Sequence, residues 1–240
     1  MKNLLPILKS GHAVTSHHKN GLSISVLANP RKVFTDAQNL VYIDGLVDNL
    51  CTMINQSFGV ELENKSDDGV RNHVANVDSI AFVHGENRVL GFASTRLIPD
   101  NHQVFYLHGV AVAQEAKGCG CAKLLIKELL RLRDYKKIVF TSQNPIMFCL
   151  LSSMCKKVYP SALNETVPEH IGHLGEIAVS GRPGRFNTDT LIANDIYGRC
   201  LYPSLPKSGS SYVDEWFKQA LTAQSGVTRD AFLFVGEEIQ

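Results

Sequence analysis

Within Lys117-Gly118-Cys119-Gly120-Cys121-Ala122 every side chain is small except that of Lys117, which is cationic, and this combination can hold an anion. Gly118, Gly120 and Ala122 leave backbone N–H groups uncovered, so several can converge on one phosphate. Upstream, Val110, Ala111 and Val112 read as the end of a buried strand, while downstream Leu125, Ile126, Leu129 and Leu130 recur on one face of a helix. The orphan N–H groups of that helix's first turn, together with its dipole, favour negative charge at the same spot. Cys119 and Cys121 serve there as small residues, although a helix N-terminus can also lower a thiol pKa. A glycine-rich turn that holds nothing is the plainer alternative. A dinucleotide site would want a third Gly where Lys123 stands and an acid after the next strand, where the chain has Thr141, Ser142 and Gln143.

The elements that would carry this loop follow from periodicity. Ser23 to Leu27 alternates as an opening strand, and Ile43, Leu46, Val47, Leu50, Met53 and Ile54 line one face of a helix predicted over residues 36–58. A weaker helix over 67–77 follows. Ser79–Val83 and Val89–Leu97, with Gly85 to Asn87 between them, read as a hairpin, and the apolar run in Gln103–Val112 predicts a strand buried on both faces. After the loop and its helix, Lys137–Ser142 is the next strand. Asn144-Pro145 suits the start of a helix over 146–156, with Pro in its first turn. Beyond Tyr159 a Gly-, Pro- and His-rich region precedes a helix near 212–224 and a closing strand, Ala231–Val235, expected to complete the sheet.

The order of residues in 117–122 resembles the acetyl-CoA signature of the GNAT superfamily of N-acetyltransferases, written Arg or Gln, any two residues, Gly, any one, then Gly or Ala. Lys117 departs from it, keeping the charge but not the planar fork of donors. The resemblance covers about residues 23–159 and implies an α/β (α+β) GNAT fold, a central mixed sheet flanked by helices. Residues 1–22 would be an N-terminal extension, 23–159 the core, and 160–240 a C-terminal extension serving as lid, substrate platform or oligomer contact. It also implies acetyl-CoA as co-substrate, held by Val110, Ala111, Val112, Lys117, Gly118, Cys119, Gly120, Cys121, Ala122 and Asn144. In the family an Asn closing this strand orients the pantetheine arm; a helix cap is the equal alternative for Asn144.

The chemistry implied is acetyl transfer to a primary amine by direct attack in a ternary complex, with the pantetheine arm entering where Tyr106–Val112 and Lys137–Ser142 splay apart. His108 stands near where the family often carries a glutamate, and its ordinary pKa suits proton removal near neutrality. A packed or paired strand-edge His is the alternative. The family's usual acid, a Tyr seven residues after the Asn, is replaced by Leu151. Ser152, Ser153 or water could substitute; Tyr159, where the family has a Phe, is expected to pack. Two rival readings stay open: an acyl-CoA-binding sensor or scaffold without catalysis, favoured by Leu151, and a protein lysine or N-terminal acetyltransferase that docks its partner on the C-terminal region.

Composition narrows the partners. Against 24 Lys plus Arg stand 23 Asp plus Glu, a net charge of +1, so a general polyanion or nucleic-acid partner is not expected. No apolar run nears the roughly 20 residues of a membrane span, so no membrane partner is expected either, and the broken apolar start (Leu4, Leu5, Pro6, Ile7, Leu8) is too short for a signal peptide. Six cysteines without Cys-x-x-Cys spacing fit a reducing cytoplasm. Glu169, His170 and His173 have a ligand-like spacing but lack further ligands, so no metal is expected and they read as loop residues. Arg182 and Arg185, in GRPGR, could meet an acidic substrate or CoA phosphates, or form a solvated turn. The acceptor would be an amine, on a small molecule or a protein, and a homodimer is possible.

Overall fold

The computed structural model describes residues 13–17, 22–58, 67–85, 88–163, 165–221 and 228–240. The chain divides into two units, residues 1–97 with 107–134, and residues 98–106 with 135–240.

In the first unit the strand order is β1 (Ala13–His17), β2 (Ser23–Ala28), β3 (Ser79–His84), β4 (Val89–Ile98) and then the Leu107–Val112 part of β5 (Asn101–Val112). β1 runs antiparallel to β2, so the strand expected to open the fold is its second. β2–β3 and β3–β4 are antiparallel as well, the latter with a bulge at Val83/His84. Of the hairpin turn expected at Gly85–Asn87, Glu86 and Asn87 lie outside the described residues. The long helix predicted over 36–58 is α2 (Leu40–Phe58), preceded by a 3-10 turn, Ala37–Asn39, and a single helical turn, α1 (Arg31–Phe34). α3 (Asp67–Ala75) ends two residues short of its predicted bound.

The helical period of α2 is used as the sequence suggests: Ile43, Leu46, Val47, Leu50 and Met53 are buried with Leu27, Val74, Ile80, Phe82, Phe92 and Ala111 in one cluster. All six residues of β3 are buried, so both faces of the strand are covered. α4 (Cys121–Leu130), with Cys121, Leu125, Ile126 and Leu129 turned inward, also packs on β2 and β3.

In the second unit β5 enters at residues 101–106 and pairs in parallel with β6 (Lys137–Ser142) over Val104↔Lys137, Phe105↔Ile138 and Tyr106↔Val139. β6 pairs antiparallel with β10 (Ala231–Ile239), whose other edge is shared by β9 (Ile192–Asn194) near its start and β7 (Cys155–Tyr159) near its end. β8 (Arg185–Asn187) adds to β9. The final strand joins the sheet as expected, and it is interior, paired along both edges. Its alternation sorts two cores: Ala231, Leu233 and Val235 pack with Ile171, Leu174 and Val179 of α6 (Glu169–Val179), whereas Phe232 and Phe234 meet Phe140, Phe148 of α5 (Pro145–Ser152) and Trp216 and Phe217 of α7 (Ser211–Leu221).

Two expectations change here. The helix predicted over 146–156 ends at Ser152, and Cys155–Tyr159 is a strand because β10 supplies its ladder. Glu169, His170 and His173 sit on a helix rather than a loop. The Gly-, Pro- and His-rich region beyond Tyr159 holds α6, β8 and β9. The helix predicted over 212–224 begins at Ser211 and is described to Leu221.

Candidate functional site

The loop is anchored at both ends. At the end of β5, Ala111 and Ala113 are buried, Ala113 N–H donates to Leu90 O at 2.8 Å, and Val112 O accepts from Ser57 Oγ at 3.0 Å. A 3-10 turn, Gln114–Ala116, then carries the chain to Lys117. Lys117, Gly118, Cys119 and Gly120 are exposed, while Cys121 is buried at the start of α4.

Gly118 (φ 79°) and Gly120 (φ 74°, ψ 8°) both lie in the left-handed region. Protein atoms leave open space around each, so a Cβ would meet nothing; the backbone angle, not crowding within the chain, asks for glycine. The first α-helical bond is Leu124 N–H to Gly120 O at 3.0 Å, and Gly120 provides no side-chain cap. The N–H groups of Gly118, Gly120 and Ala122 consequently have no acceptor among the described residues. Such donors at a helix entry form an anion cradle. Lys117 makes no ion pair among the described residues. Burial, and then the neighbouring Cys119, push the Cys121 thiol up, so the lowering imagined for a thiol at a helix start does not occur at Cys121.

His108 is half-buried on β5, and its ring stacks on His73 of α3 with centroids 4.4 Å apart and planes 9° from parallel. Burial, reinforced by the Arg96 charge, lowers the His73 pKa to about 4, so His73 is neutral near pH 7 and stacks without repelling its neighbour by charge. His73 Nε2 lies 3.2 Å from Ser94 Oγ, which donates to Gly109 O at 3.5 Å; that chain assigns the proton to Nε2. A Cβ on Gly109 would come within 2.9 Å of His73 Nε2, so glycine admits the ring.

Asn144 caps α5: its Oδ1 accepts from Ile146 N–H at 2.9 Å, with Pro145 at the first helical position. Its Nδ2 donates to Tyr202 Oη at 3.3 Å. Tyr202 is delivered by the chain at Leu201, whose N–H donates to Oε1 of buried Gln143 at 3.0 Å. Burial raises the Tyr202 pKa, an effect the Asn144 hydrogen bond opposes, and the phenol keeps its proton at neutral pH. Leu151 is buried, Ser152 and Ser153 are exposed, and Tyr159 packs against the second unit's core as expected. Tyr202 was missed because its link to Asn144 crosses 58 residues and no local pattern marks it. His170 and His173 are exposed, and no group of three potential metal ligands exists among the described residues. No disulfide joins the six cysteines, and no described helix is long and apolar enough to cross a membrane.

Residues 48–145 match the model of the acetyltransferase (GNAT) family. That span, under half of the chain, includes the loop, His108 and Asn144; the match supports acetyl transfer as the general activity, and the mixed α/β class expected is the one found. No curated protein matches the sequence. Among solved structures the chain is similar to the ribosomal-protein-S18-alanine N-acetyltransferase from Escherichia coli, at 9% identity and TM-score 0.45, covering 89% of this chain and 93% of that one. It is also similar to an IAA acetyltransferase from Bacillus cereus, at 10% identity and TM-score 0.44, with 90% and 99% covered. A third likeness is to N-acetylglutamate synthase from Neisseria gonorrhoeae complexed with coenzyme A and N-acetyl-glutamate, at 13% identity and TM-score 0.37, with 61% and 29% covered. These likenesses assign no acceptor to this chain.

Proposed function

We propose that the protein transfers the acetyl group of acetyl-CoA to a primary amine by direct attack in a ternary complex. The observation that carries this reading is the trio of N–H groups at Gly118, Gly120 and Ala122, without acceptors among the described residues, inside the span that matches the acetyltransferase family. They and Lys117 would take the pyrophosphate, with Val110, Ala111 and Val112 leading into the cradle and Cys119 and Cys121 completing the loop. Asn144 would hold the pantetheine arm through its side-chain amide.

In the reaction the amine nitrogen bonds to the thioester carbonyl carbon, the C–S bond breaks, one amine proton leaves and the CoA thiolate gains one. His108 would accept the amine proton. Neutral His73 orients its ring by stacking and acts as a positioning residue. Tyr202, in place of the missing Tyr at 151, would protonate the thiolate. The acceptor is an amine on a small molecule or on a protein.

Calorimetry with acetyl-CoA, followed by turnover of amines and peptides, tests the reading. His108→Ala is expected to lower turnover about 10²-fold while acetyl-CoA affinity holds. The deficit should shrink as pH rises, because more of the amine is then already neutral. Tight acetyl-CoA binding with no hydrolysis and no acceptor consumed would replace the enzyme by a sensor or scaffold.

A further inference from the structure

Arg182, which follows α6, is half-buried yet surrounded by neutral groups. Its Nη1 donates to Tyr106 Oη at 3.0 Å and to Thr141 Oγ1 at 3.1 Å, which uses both hydrogens of that nitrogen. Its guanidinium carbon stands 5.3 Å from the centroid of the Tyr197 ring, a cation–π distance. Tyr197 in turn donates to Thr141 O at 2.8 Å and lies 2.8 Å from Thr141 Oγ1, so Thr141 is fixed from two sides.

No carboxylate pairs with Arg182 among the described residues, and its Nε and Nη2 have no hydrogen-bond acceptor there. Four other arginines pair with acids, Arg71 with Asp44, Arg88 with Glu115, Arg131 with Glu128 and Arg229 with Asp195. The five that do not, Arg31, Arg96, Arg133, Arg185 and Arg199, are all exposed, so among the described residues Arg182 alone is a half-buried arginine without an acid. Tyr197 is not a hidden counter-ion, since burial pushes its pKa to about 12 against the opposing effects of Thr141 and the Arg182 charge.

A partly desolvated guanidinium is costly without an anion. The unused edge is the one that matters: Nε and Nη2 present two parallel N–H groups, the side-on fork that fits both oxygens of a carboxylate. With Nη1 tied to Tyr106 and Thr141 and the cation resting on Tyr197, that fork is held ready. We infer that Arg182 is a specificity-determining residue that binds the carboxylate of the acceptor, so the acceptor class is amines that also carry a carboxylate, as free amino acids do. A phosphate of acetyl-CoA is the rival anion. It is disfavoured because the 117–122 loop already offers a phosphate both a lysine and a helix N-terminus.

This inference rests on the acetyltransferase reading, and the experiment separates the two. Free amino acids and their C-terminal amides are compared as acceptors with wild type, Arg182→Lys and Arg182→Gln; Gln retains a donor toward Tyr106 and Thr141. The expected result is that Arg182→Gln lowers kcat/KM for the acids by about 10²-fold and for the amides by less than about threefold, with Lys between and the acetyl-CoA Kd unchanged. Equal losses on acids and amides, a raised acetyl-CoA Kd, or a best acceptor that is a peptide with a blocked C-terminus would overturn it. If wild type binds acetyl-CoA but turns over no acceptor, the acetyltransferase reading fails, and the site is read alone by NMR. The Nε–H resonance of Arg182, assigned by its loss in Arg182→Gln, should shift saturably with the amino acids and not with their amides. No such difference would overturn the inference.

Discussion

In the first unit the donors proposed to take acetyl-CoA belong to the backbone and lie on an exposed loop, whereas in the second Arg182 is held by side chains drawn from far apart in sequence. The cores differ in the same sense. The first is mainly aliphatic around Ile43, Leu46, Val47 and Leu50; the second includes an aromatic cluster of Phe140, Phe148, Trp216, Phe217, Phe232 and Phe234. A backbone cradle depends on φ and ψ and tolerates most side-chain changes around it. A side-chain fork is altered by one substitution. Tolerance to mutation at the two sites should therefore run in opposite directions: conformation governs one, chemical identity the other.

The largest expected break in the comparison is Phe217→Ala. Phe217 is fully buried beside Phe232 and Phe234, and its truncation should cost about 3–5 kcal/mol. The chain's one tryptophan, Trp216, stacks on Phe232 with centroids 4.6 Å apart, so urea unfolding followed by its fluorescence reports on this core. An unchanged midpoint would remove the aromatic cluster as the second unit's support.

Next in size is a pH effect in the first unit. His73 is neutral when folded down to about pH 4, while in the unfolded chain it protonates near 6.5. The unfolded state thus binds more protons in between, and the resulting stability, up to about 3 kcal/mol, is intact above pH 6.5 and is lost as pH falls toward 4. His73→Gln should flatten this part of the stability–pH curve. A parallel curve for the variant would show that burial of His73 does not govern its protonation.

Smallest is Lys117→Ala, which should weaken acetyl-CoA by about 1 kcal/mol or less, and more than it weakens a pantetheine fragment lacking the phosphates. Equal effects on the two ligands would leave the cradle to the backbone alone and sharpen the contrast with Arg182.

Legibility in the sequence follows the same divide. The loop, the capping role of Asn144, the amphipathic face of α2 and the strands β3 to β6 are set by residues a few positions apart, and their patterns are visible in the chain. β7 was hidden because Cys155–Tyr159 continues a run compatible with helix and becomes a strand only by pairing Val235↔Tyr159 and Ile239↔Cys155 with β10. β1 was missed likewise, since its register on β2 is a tertiary fact. GRPGR shows that an arginine is present, but not that Tyr106, Thr141 and Tyr197 converge on it. Equally, the sequence allows a paired His108 but does not name the partner, His73, which α3 lays against it.

The triple pairing of β10 bears on how the protein can be made. β6, β7 and β9 all precede it in synthesis, and each must wait with an open edge that only β10 closes. Phe140, Phe148 and Trp216 leave the ribosome before Phe232 and Phe234 exist to cover them. A nascent chain halted ahead of β10 would expose both sticky edges and aromatic surface, the features that recruit chaperones and seed aggregation. For the second unit, folding as the chain emerges is blocked until that one late strand arrives.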